Sequence, residues 1–348
     1  MYVTVSASNK TTSRALSELR GIAPSNRTLP PHGVLATACL CSHLLPLGIY
    51  VEIRIRAPLD ELWAHTQEPA LHERWDLRFS DITYLPRASA LEPQRFRYAT
   101  RIGLGIEIAG DGESVGERNL ADGSRTSSLS FGSPSRLSII RQGSGYWKYI
   151  PTNDGIRFLT WYDYQTRWGP VGAIVDKLVF RPILGWATAW SFDRLRGWIE
   201  AGRDPATSAR LAIVHAVARI SVALIFLYHG IVPKLLTQSA DELAMLSEVG
   251  LTAARARAAL TCLGALEIVI AVLLLVTWRR RWLPALILCA MPIAVLAVAF
   301  SSPRYLIAAF NPVSLNLGVA ALALVDILTC TDLVTASNCR RQPPDDSR

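Results

Sequence analysis

The sequence has little charge for its length. Only 18% of its 348 residues are Asp, Glu, Lys or Arg, whereas 50% are hydrophobic. Soluble domains carry about a quarter charged residues, and disordered chains are poor in apolar ones. The composition therefore argues against a disordered or wholly cytosolic protein and indicates insertion into a membrane.

Cysteine is also scarce, and the six cysteines form no CxxC pair. Cys39 and Cys41 stand close together, but no second pair with ligand spacing accompanies them, as a structural zinc site requires. The patterns HExxH and GxGxxG are absent as well. These absences argue against a disulfide framework, a metal site and dinucleotide binding.

The formal net charge is +8, yet the basic residues form no stripe or patch that would fit a nucleic acid. We therefore expect no nucleic-acid partner. Arg279, Arg280 and Arg281 stand together between two apolar runs. Short loops rich in Lys and Arg stay on the cytoplasmic side of a membrane, so this triplet is a topology signal.

Four apolar runs follow residue 210, each of a length that can cross a hydrocarbon core of about 30 Å. They are Ala212–Leu236, Ala258–Trp278, Trp282–Phe300 and Val313–Cys330. The sequence thus predicts a multi-pass protein of the cell membrane with four spans. With the arginine triplet inside, an even number of spans places both termini in the cytoplasm.

Five polar residues fall in the outer half of these spans: His229, Lys234, Glu267, Asn311 and Asn316. An ionisable group at membrane depth is costly, which makes it a candidate site. We expect an intramembrane polar site in which His229 and Glu267 can pair. The alternative is that the lysine reaches the interface, the asparagines cap a helix, and the glutamate makes one interhelical hydrogen bond.

Three segments of this half carry a family resemblance: His229–Leu236, Gly264–Glu267 and Phe310–Asn316. Together they resemble the DoxX-like family of small four-helix membrane proteins. The resemblance implies an all-α four-helix transmembrane bundle over residues 211–331. Relatives in the broader DoxX group are linked to quinone-coupled sulfur oxidation or to membrane oxidoreductase complexes, which implies a quinone as cofactor and a membrane redox partner.

The half before residue 204 alternates between strand and helix patterns. Tyr50–Arg56 alternates apolar and polar residues as a half-buried strand does, and Pro58 favours a helix start. A short helix over Glu68–Arg74, several strands separated by glycine turns, and a long helix over Phe180–Gly202 follow. The pattern predicts an α+β domain with a curved antiparallel sheet and a long C-terminal helix.

This half resembles the SRPBCC superfamily, the helix-grip fold of START domains, polyketide cyclases and Bet v-type allergens. The resemblance is carried by Val51–Ile53, Ala57-Pro58 with Leu62-Trp63, Pro69–His72, Trp75-Asp76 and the long terminal helix. It implies a hydrophobic ligand between sheet and helix. By the same resemblance the candidate ligand-binding residues are Phe96, Tyr98, Tyr162, Tyr164 and Trp190. The alternative is a core filled by these side chains.

Catalysis has weaker support in the sequence. His65, His72, Glu73 and Asp76 could serve as acid and base, but a solvated helix face would carry the same residues. We assign no catalytic residue.

The ends of the chain show no strong periodicity. Residues 1–48 hold many Ser, Thr and Pro and predict a disordered extension, although Val34–Tyr50 is apolar enough to suggest a signal or anchor. Residues 332–348 predict a solvated tail.

The sequence therefore predicts a helix-grip domain over 49–204 followed by a four-helix membrane bundle. The preferred interpretation is a cytoplasmic domain that binds a lipid, a quinone or a polyketide-like compound and exchanges it with the bundle. The alternatives are a subunit of a quinone-linked oxidoreductase complex and a non-catalytic scaffold, and a homo-oligomer stays open.

Overall fold

The computed structural model describes residues 48–344 except 90, 91, 104 and 310. The expectations for the N-terminal extension and for the apolar stretch before the first strand therefore fall almost wholly outside the described residues. The same holds for Phe310 of the third DoxX-like segment.

The first domain is a seven-stranded antiparallel sheet in the order β1-β7-β6-β5-β4-β3-β2. Two short helices, α1 (Leu59–Gln67) and α2 (Pro69–Trp75), follow β1 as predicted. The strands are β1 (Ile49–Ile55), β2 (Asp81–Tyr84), β3 (Arg95–Gly103), β4 (Ile106–Asn119), β5 (Arg125–Gly132), β6 (Ile140–Thr152) and β7 (Gly155–Thr166).

A long helical segment closes this domain. It comprises α3 (Gly169–Val175), a π-helical stretch (Asp176–Phe180) and α4 (Arg181–Ala201). Alternate residues of β1 and β7 face α4, as the period of a strand requires, and they form one apolar core with it. Phe158 of β7 stacks on Phe192 of α4 with ring centroids 4.5 Å apart. This is the predicted helix-grip arrangement of a curved sheet and a long C-terminal helix.

The second half is a bundle with four helices long and apolar enough to cross a membrane. The helices are α5 (Pro205–His229, continued by π-helical Gly230–Leu236), α7 (Ala253–Val276), α8 (Trp282–Ser301) and α9 (Pro312–Thr329). A short helix, α6 (Ala240–Glu248), lies in the loop before α7. The predicted spans agree with these helices, and the first begins seven residues earlier than expected because α5 starts at Pro205.

The two halves are joined closely. Only residues 202–204 separate α4 from α5, and Ala209 and Ala212 of α5 pack against the core of the sheet domain. Arg194 of α4 donates to the carbonyl of Pro205 at 2.9 Å. The sheet domain therefore lies directly on the end of the bundle at which α5 begins, here called the near end.

The segment after α9 differs from the solvated tail expected over 332–348. Arg340 pairs with Glu52 at the edge of β1, and Asn338 donates to the Asp193 carboxylate of α4. Ala336 and Cys339 are buried in the sheet-domain core. The physical reason is that small apolar residues in this segment fit the groove between β1 and α4, while Asp193 needs partners for its buried carboxylate.

The buried tail makes a testable prediction about Cys339. Its Sγ lies 3.1 Å from the carbonyl of Ala189, and burial raises the pKa of this thiol to about 12, with nearby Asp193 acting in the same direction. The thiolate is the reactive form, so Cys339 is expected to resist alkylation at pH 8 in the native protein and to react after denaturation. Mass spectrometry of iodoacetamide-treated protein measures this; rapid native modification at this position would contradict the buried tail.

Candidate functional site

The first candidate site is the Lys234 cluster, formed by Lys234, Glu242 and Glu267 at the far end of the bundle. The lysine Nζ lies 3.1 Å from Glu267 Oε1 and 3.3 Å from Glu242 Oε2. The lysine side chain is only 10% exposed, and the second oxygen of Glu267 is buried with no hydrogen-bond partner among the described residues. The cluster therefore holds one cation between two carboxylates. The second oxygen of Glu267 remains available as a hydrogen-bond acceptor.

Glycines and a π-helical turn build this cluster. Gly230 and Gly264 bring the two helices into close contact, because a Cβ on Gly264 would lie 2.8 Å from the carbonyl oxygen of Gly230. Pro233 lies inside the π-helical stretch, where a kink was expected, and π-helical turns accommodate local breaks in the α-helical hydrogen-bond ladder. The lysine is thereby aimed at Glu267 across the helix contact.

The other residues predicted for this site lie apart from the ion pairs. The structure pairs Glu267 with Lys234 rather than with His229, which is half-buried and within electrostatic range of the lysine. Asn311 caps α9, since its Oδ1 accepts from the backbone of Ser314 at 2.9 Å. Asn316 is half-buried one turn further along. The structure thus brings together two of the five predicted residues.

Gly264 offers a direct test of this geometry. A valine at this position would meet the Gly230 carbonyl and the Lys234 Cβ, at 2.8 and 2.9 Å from its own Cβ. We expect Gly264→Val to separate the helices and to lower the thermal stability of the purified protein, whereas Gly318→Val, whose Cβ meets nothing within 4 Å, leaves it unchanged. Equal melting temperatures for both variants would contradict the close crossing.

A second cluster, the Arg219 cluster, lies at the near end and consists of His215, Arg219 and Asp326. All three side chains are at most 1% exposed. Arg219 Nε donates to Asp326 Oδ2 at 2.8 Å, and His215 Nδ1 lies 2.9 Å from Oδ1 at ion-pair distance but outside hydrogen-bond alignment.

The Arg219 cluster also holds the turn between α7 and α8. Arg219 donates to the carbonyls of Thr277 and Arg280 at 2.6 and 2.7 Å, and His215 Nε2 donates to that of Trp278 at 3.0 Å. Carbonyls at a helix C-terminus carry partial negative charge, so cations are favoured there. The cluster therefore ties α5, α9 and the α7–α8 turn into one charge-compensated unit.

Sequence reasoning missed the Arg219 cluster. His215 and Arg219 lie four residues apart on one face of α5, and Asp326 lies in the last turn of α9. Three ionisable groups inside predicted spans were the available signal. Their partnership depends on a contact between residues 107 positions apart, which no local pattern contains.

The third candidate site is the face of the sheet that points toward α4. Cross-strand partners from β3 to β6 alternate between a phenylalanine and a glycine on this face: Phe96, Gly112, Phe131 and Gly143. A Cβ on Gly112 would lie 2.2 Å from the Phe96 ring, and one on Gly143 would lie 2.6 Å from the Phe131 ring. Each ring therefore lies over a glycine of the neighbouring strand. Both rings remain half-buried and border an open hollow of about 610 Å³.

The other predicted ligand-binding residues belong to the packed part of this domain. Tyr162 and Tyr164 are buried. The Tyr162 hydroxyl lies 2.8 Å from the Thr188 hydroxyl, and the Tyr164 hydroxyl donates to Asp176 at 2.6 Å. Trp190 is buried in the same core. Tyr98 is buried too, with its hydroxyl donating to a backbone carbonyl. The β1–β7 side of the face is filled by aromatic side chains, whereas Phe96 and Phe131 lie on the less covered β3–β5 side.

A buried ion pair lies beside the rings of Phe79 and Tyr162. Asp76 accepts from Arg78 Nε and Nη2 at 2.9 and 2.6 Å and lies 3.0 Å from His72 Nε2. The Arg78 guanidinium lies 5.6 Å from the centre of the Tyr162 ring. Burial alone would raise the pKa of Asp76, but the charge of Arg78 and the hydrogen bonds outweigh it and hold that pKa well below its usual range. The solvated-face interpretation is wrong for Asp76, whose side chain is fully buried.

The segment Gly112–Gly116 reads GESVG and matches the GxSxG pattern of hydrolases, a match that sequence reasoning overlooked. The hydrolase serine sits on a sharp turn between a strand and a helix. Here Ser114 lies inside β4, and its backbone N–H donates to the carbonyl of Gln94. The match therefore has the wrong structural context for a nucleophile.

Comparison with known proteins adds to this geometry. The DoxX-like family model matches residues 223–324, a range that includes all three residues of the Lys234 cluster. An uncharacterised membrane protein of Bacillus subtilis, YndG, is 50% identical over 183 residues, covering 52% of this chain and 68% of YndG. This chain belongs to the same family as YndG and carries a DoxX-like domain over residues 223–324.

The sheet domain that precedes the DoxX-like bundle is similar to several solved structures. A STAR-related lipid transfer protein from Xanthomonas axonopodis is 14% identical, with 44% of this chain and 85% of that chain covered and a TM-score of 0.35. The di-domain aromatase/cyclase StfQ of steffimycin biosynthesis is 13% identical, with 44% and 50% covered and a TM-score of 0.35.

Proposed function

We propose that this DoxX-like membrane protein binds an apolar molecule that carries a polar head group. The molecule lies on the less covered β3–β5 side of the sheet and is exchanged with the membrane bundle. The ligand class is a lipid, a quinone or a polyketide-like compound. The observation that carries the proposal is the pair of half-buried rings, Phe96 and Phe131, which lie over glycines and border the open hollow.

The chemistry of this face supports such a ligand. Ligand sites are mostly apolar with a few placed polar groups that fix orientation. The rings supply the apolar contact, and Arg78 supplies a cation already held by Asp76. The central carbon of the Arg78 guanidinium lies 5.4 Å from the centre of the Phe79 ring, and the ring centres of Phe79 and Tyr98 lie 5.5 Å apart. A carbonyl, carboxylate or phosphate head group has the acceptor oxygens that a guanidinium binds.

The proposal includes an orientation. Arg280 and Arg281 lie at the near end, because Arg219 donates to the Arg280 carbonyl and Arg281 donates to Thr331 just after α9. The sheet domain and the tail lie at that same end. Since basic loops stay inside, we place this end, and both termini, in the cytoplasm.

The test is to purify the full chain from membranes in mild detergent and to quantify co-purifying apolar molecules by mass spectrometry. Phe131→Ala is expected to lower the bound amount by about tenfold, because burying one aromatic ring against a ligand contributes roughly 1.5–3 kcal/mol. Tyr146→Ala is the matched control, since Tyr146 stacks on Trp161 of the neighbouring strand.

Two results would count against the proposal. The first is a wild-type protein with no stoichiometric apolar molecule. The second is equal retention by Phe131→Ala and Tyr146→Ala, which would place the molecule elsewhere, for example in the bundle.

A further inference from the structure

One helical surface of the sheet domain is apolar and exposed. Of the fifteen large hydrophobic side chains exposed in the described part of residues 48–204, eight fall within 168–186, so they form a patch rather than a scatter. They are Trp168, Val171, Ile174, Val175, Leu178, Val179, Ile183 and Trp186. They are called here the Trp168–Trp186 surface.

The opposite side of the same helical segment fixes how this surface faces. Asp176 is buried, accepts from the Tyr164 hydroxyl at 2.6 Å and accepts from Arg181 Nε at 2.9 Å. Phe180 packs against Tyr164 with ring centroids 6.1 Å apart. These contacts hold α3 and the start of α4 on the sheet domain, so the exposed apolar side chains are held outward.

The side chains of this surface are as exposed as the apolar side chains of the membrane-spanning helices. Leu178 is 70% exposed and Ile183 57%, against 68% for Leu328 and 58% for Leu224 in the bundle. Soluble proteins rarely leave contiguous apolar patches uncovered, and such patches mark contact with a partner or a membrane.

The charge and the aromatic residues of this surface favour a lipid bilayer. Trp168 and Trp186 stand at its two ends, and tryptophan is enriched at the interface between water and hydrocarbon. Lys177 is exposed within the segment, whereas its acid, Asp176, is buried. Exposed apolar side chains with an exposed cation are the composition of helices that lie in the plane of a membrane.

The helix that carries this surface is joined to the membrane bundle by a short linker. The helical segment ends at Ala201, three residues before α5, the first of the four membrane helices. A tether this short makes the encounter intramolecular, so the effective concentration of the membrane surface is high.

We propose that the Trp168–Trp186 surface lies in the head-group region of the bilayer that holds the bundle. The contact requires α4 to run along the membrane rather than to stand upright on it. This contact does not depend on a ligand of the sheet domain. It is a monotopic attachment in addition to the four spans, and anionic lipid strengthens it through Lys177.

The test uses the full chain in nanodiscs of phosphatidylcholine with phosphatidylglycerol. An environment-sensitive NBD label is placed at Leu178→Cys, in a background whose other cysteines are replaced, and lipids with a nitroxide near the head group serve as quenchers. Val115→Cys is the matched control, because Val115 is 65% exposed on β4, outside this surface.

We expect the label at position 178 to be quenched by the nitroxide lipids at least about twofold and to emit at shorter wavelength, as burial at the head-group boundary requires. The label at 115 is expected to show neither effect. A label at 178 that stays accessible to aqueous iodide and is not quenched by the lipids would overturn the proposal. Protection at 178 that depends on protein concentration, without lipid quenching, would assign the surface to a second copy instead and would overturn it too.

Discussion

Replacing Asp326 with alanine is expected to lower the free energy of unfolding by about 3–5 kcal/mol, since it leaves the buried Arg219 without its counter-charge. Arg219 is 0% exposed and its Nε donates to this carboxylate at 2.8 Å. Thermal and denaturant unfolding of the purified protein in mild detergent measures the loss.

Two comparisons make this result specific. Asp332, whose side chain is 61% exposed, is the ion-pair partner of Arg203. Asp332→Ala is therefore expected to lower the free energy of unfolding by less than about 1 kcal/mol. Replacing the buried pair together, Arg219→Met with Asp326→Leu, is expected to recover part of the loss because no charge is then left unpaired. If Asp326→Ala unfolds like Asp332→Ala, the Arg219 cluster is not the buried unit described above.

The second large effect concerns the sheet domain. Replacing Arg78 with methionine leaves the Asp76 carboxylate, fully buried, without the cation that binds it at 2.6 Å. We expect a loss of about 3–5 kcal/mol, again by the cost of an uncompensated buried charge. Arg54→Met, which removes a pair that is more than half exposed on both sides, is the control and is expected to change the stability little.

The same ion pair predicts a pH dependence. The pKa of Asp76 is lower in the folded protein than in the unfolded chain, so the folded state binds fewer protons. Its stabilisation is therefore complete above the unfolded pKa of about 3.9 and is lost as the pH falls further toward the folded pKa. Wild-type stability should fall more steeply between pH 4 and pH 3 than that of Asp76→Asn, as measured by thermal unfolding; parallel curves would show that Asp76 does not titrate in this way.

Much of the fold follows from local patterns. The alternation in Tyr50–Arg56 gave the edge strand β1, and four runs of apolar residues gave the spans, because period and length are properties of single segments. Pro58 marked the start of α1 for the same reason. The resemblance to SRPBCC and DoxX-like proteins supplied the arrangement of these elements.

The candidate sites depend on contacts that single segments do not contain. Glu267 was found because it stands alone in an apolar span, yet its partner is Lys234 rather than His229, since the Gly230–Gly264 contact decides which side chains meet. Asp76 resembles a surface residue in sequence and is buried because Arg78 and His72 both reach it.

The tail shows the same limit. A short segment with Asn, Ser and Thr has the composition of a solvated end, but Asp193 and the edge of β1 offer it partners more than a hundred residues away. The packed tail and the contact of Arg194 with Pro205 together mean that the sheet domain is held to the bundle by both its own C-terminal helix and the end of the chain.

The most direct test of ligand binding is photo-crosslinking in intact membranes, before detergent can remove a bound molecule. Benzoylphenylalanine replaces Phe131 in one variant and Tyr146 in another, and the crosslinked adducts are identified by mass spectrometry. The proposed function predicts an adduct of a lipid, quinone or polyketide-like molecule at position 131 that is absent or much weaker at 146. An adduct-free position 131, or the same adduct in equal amount at both positions, would contradict it.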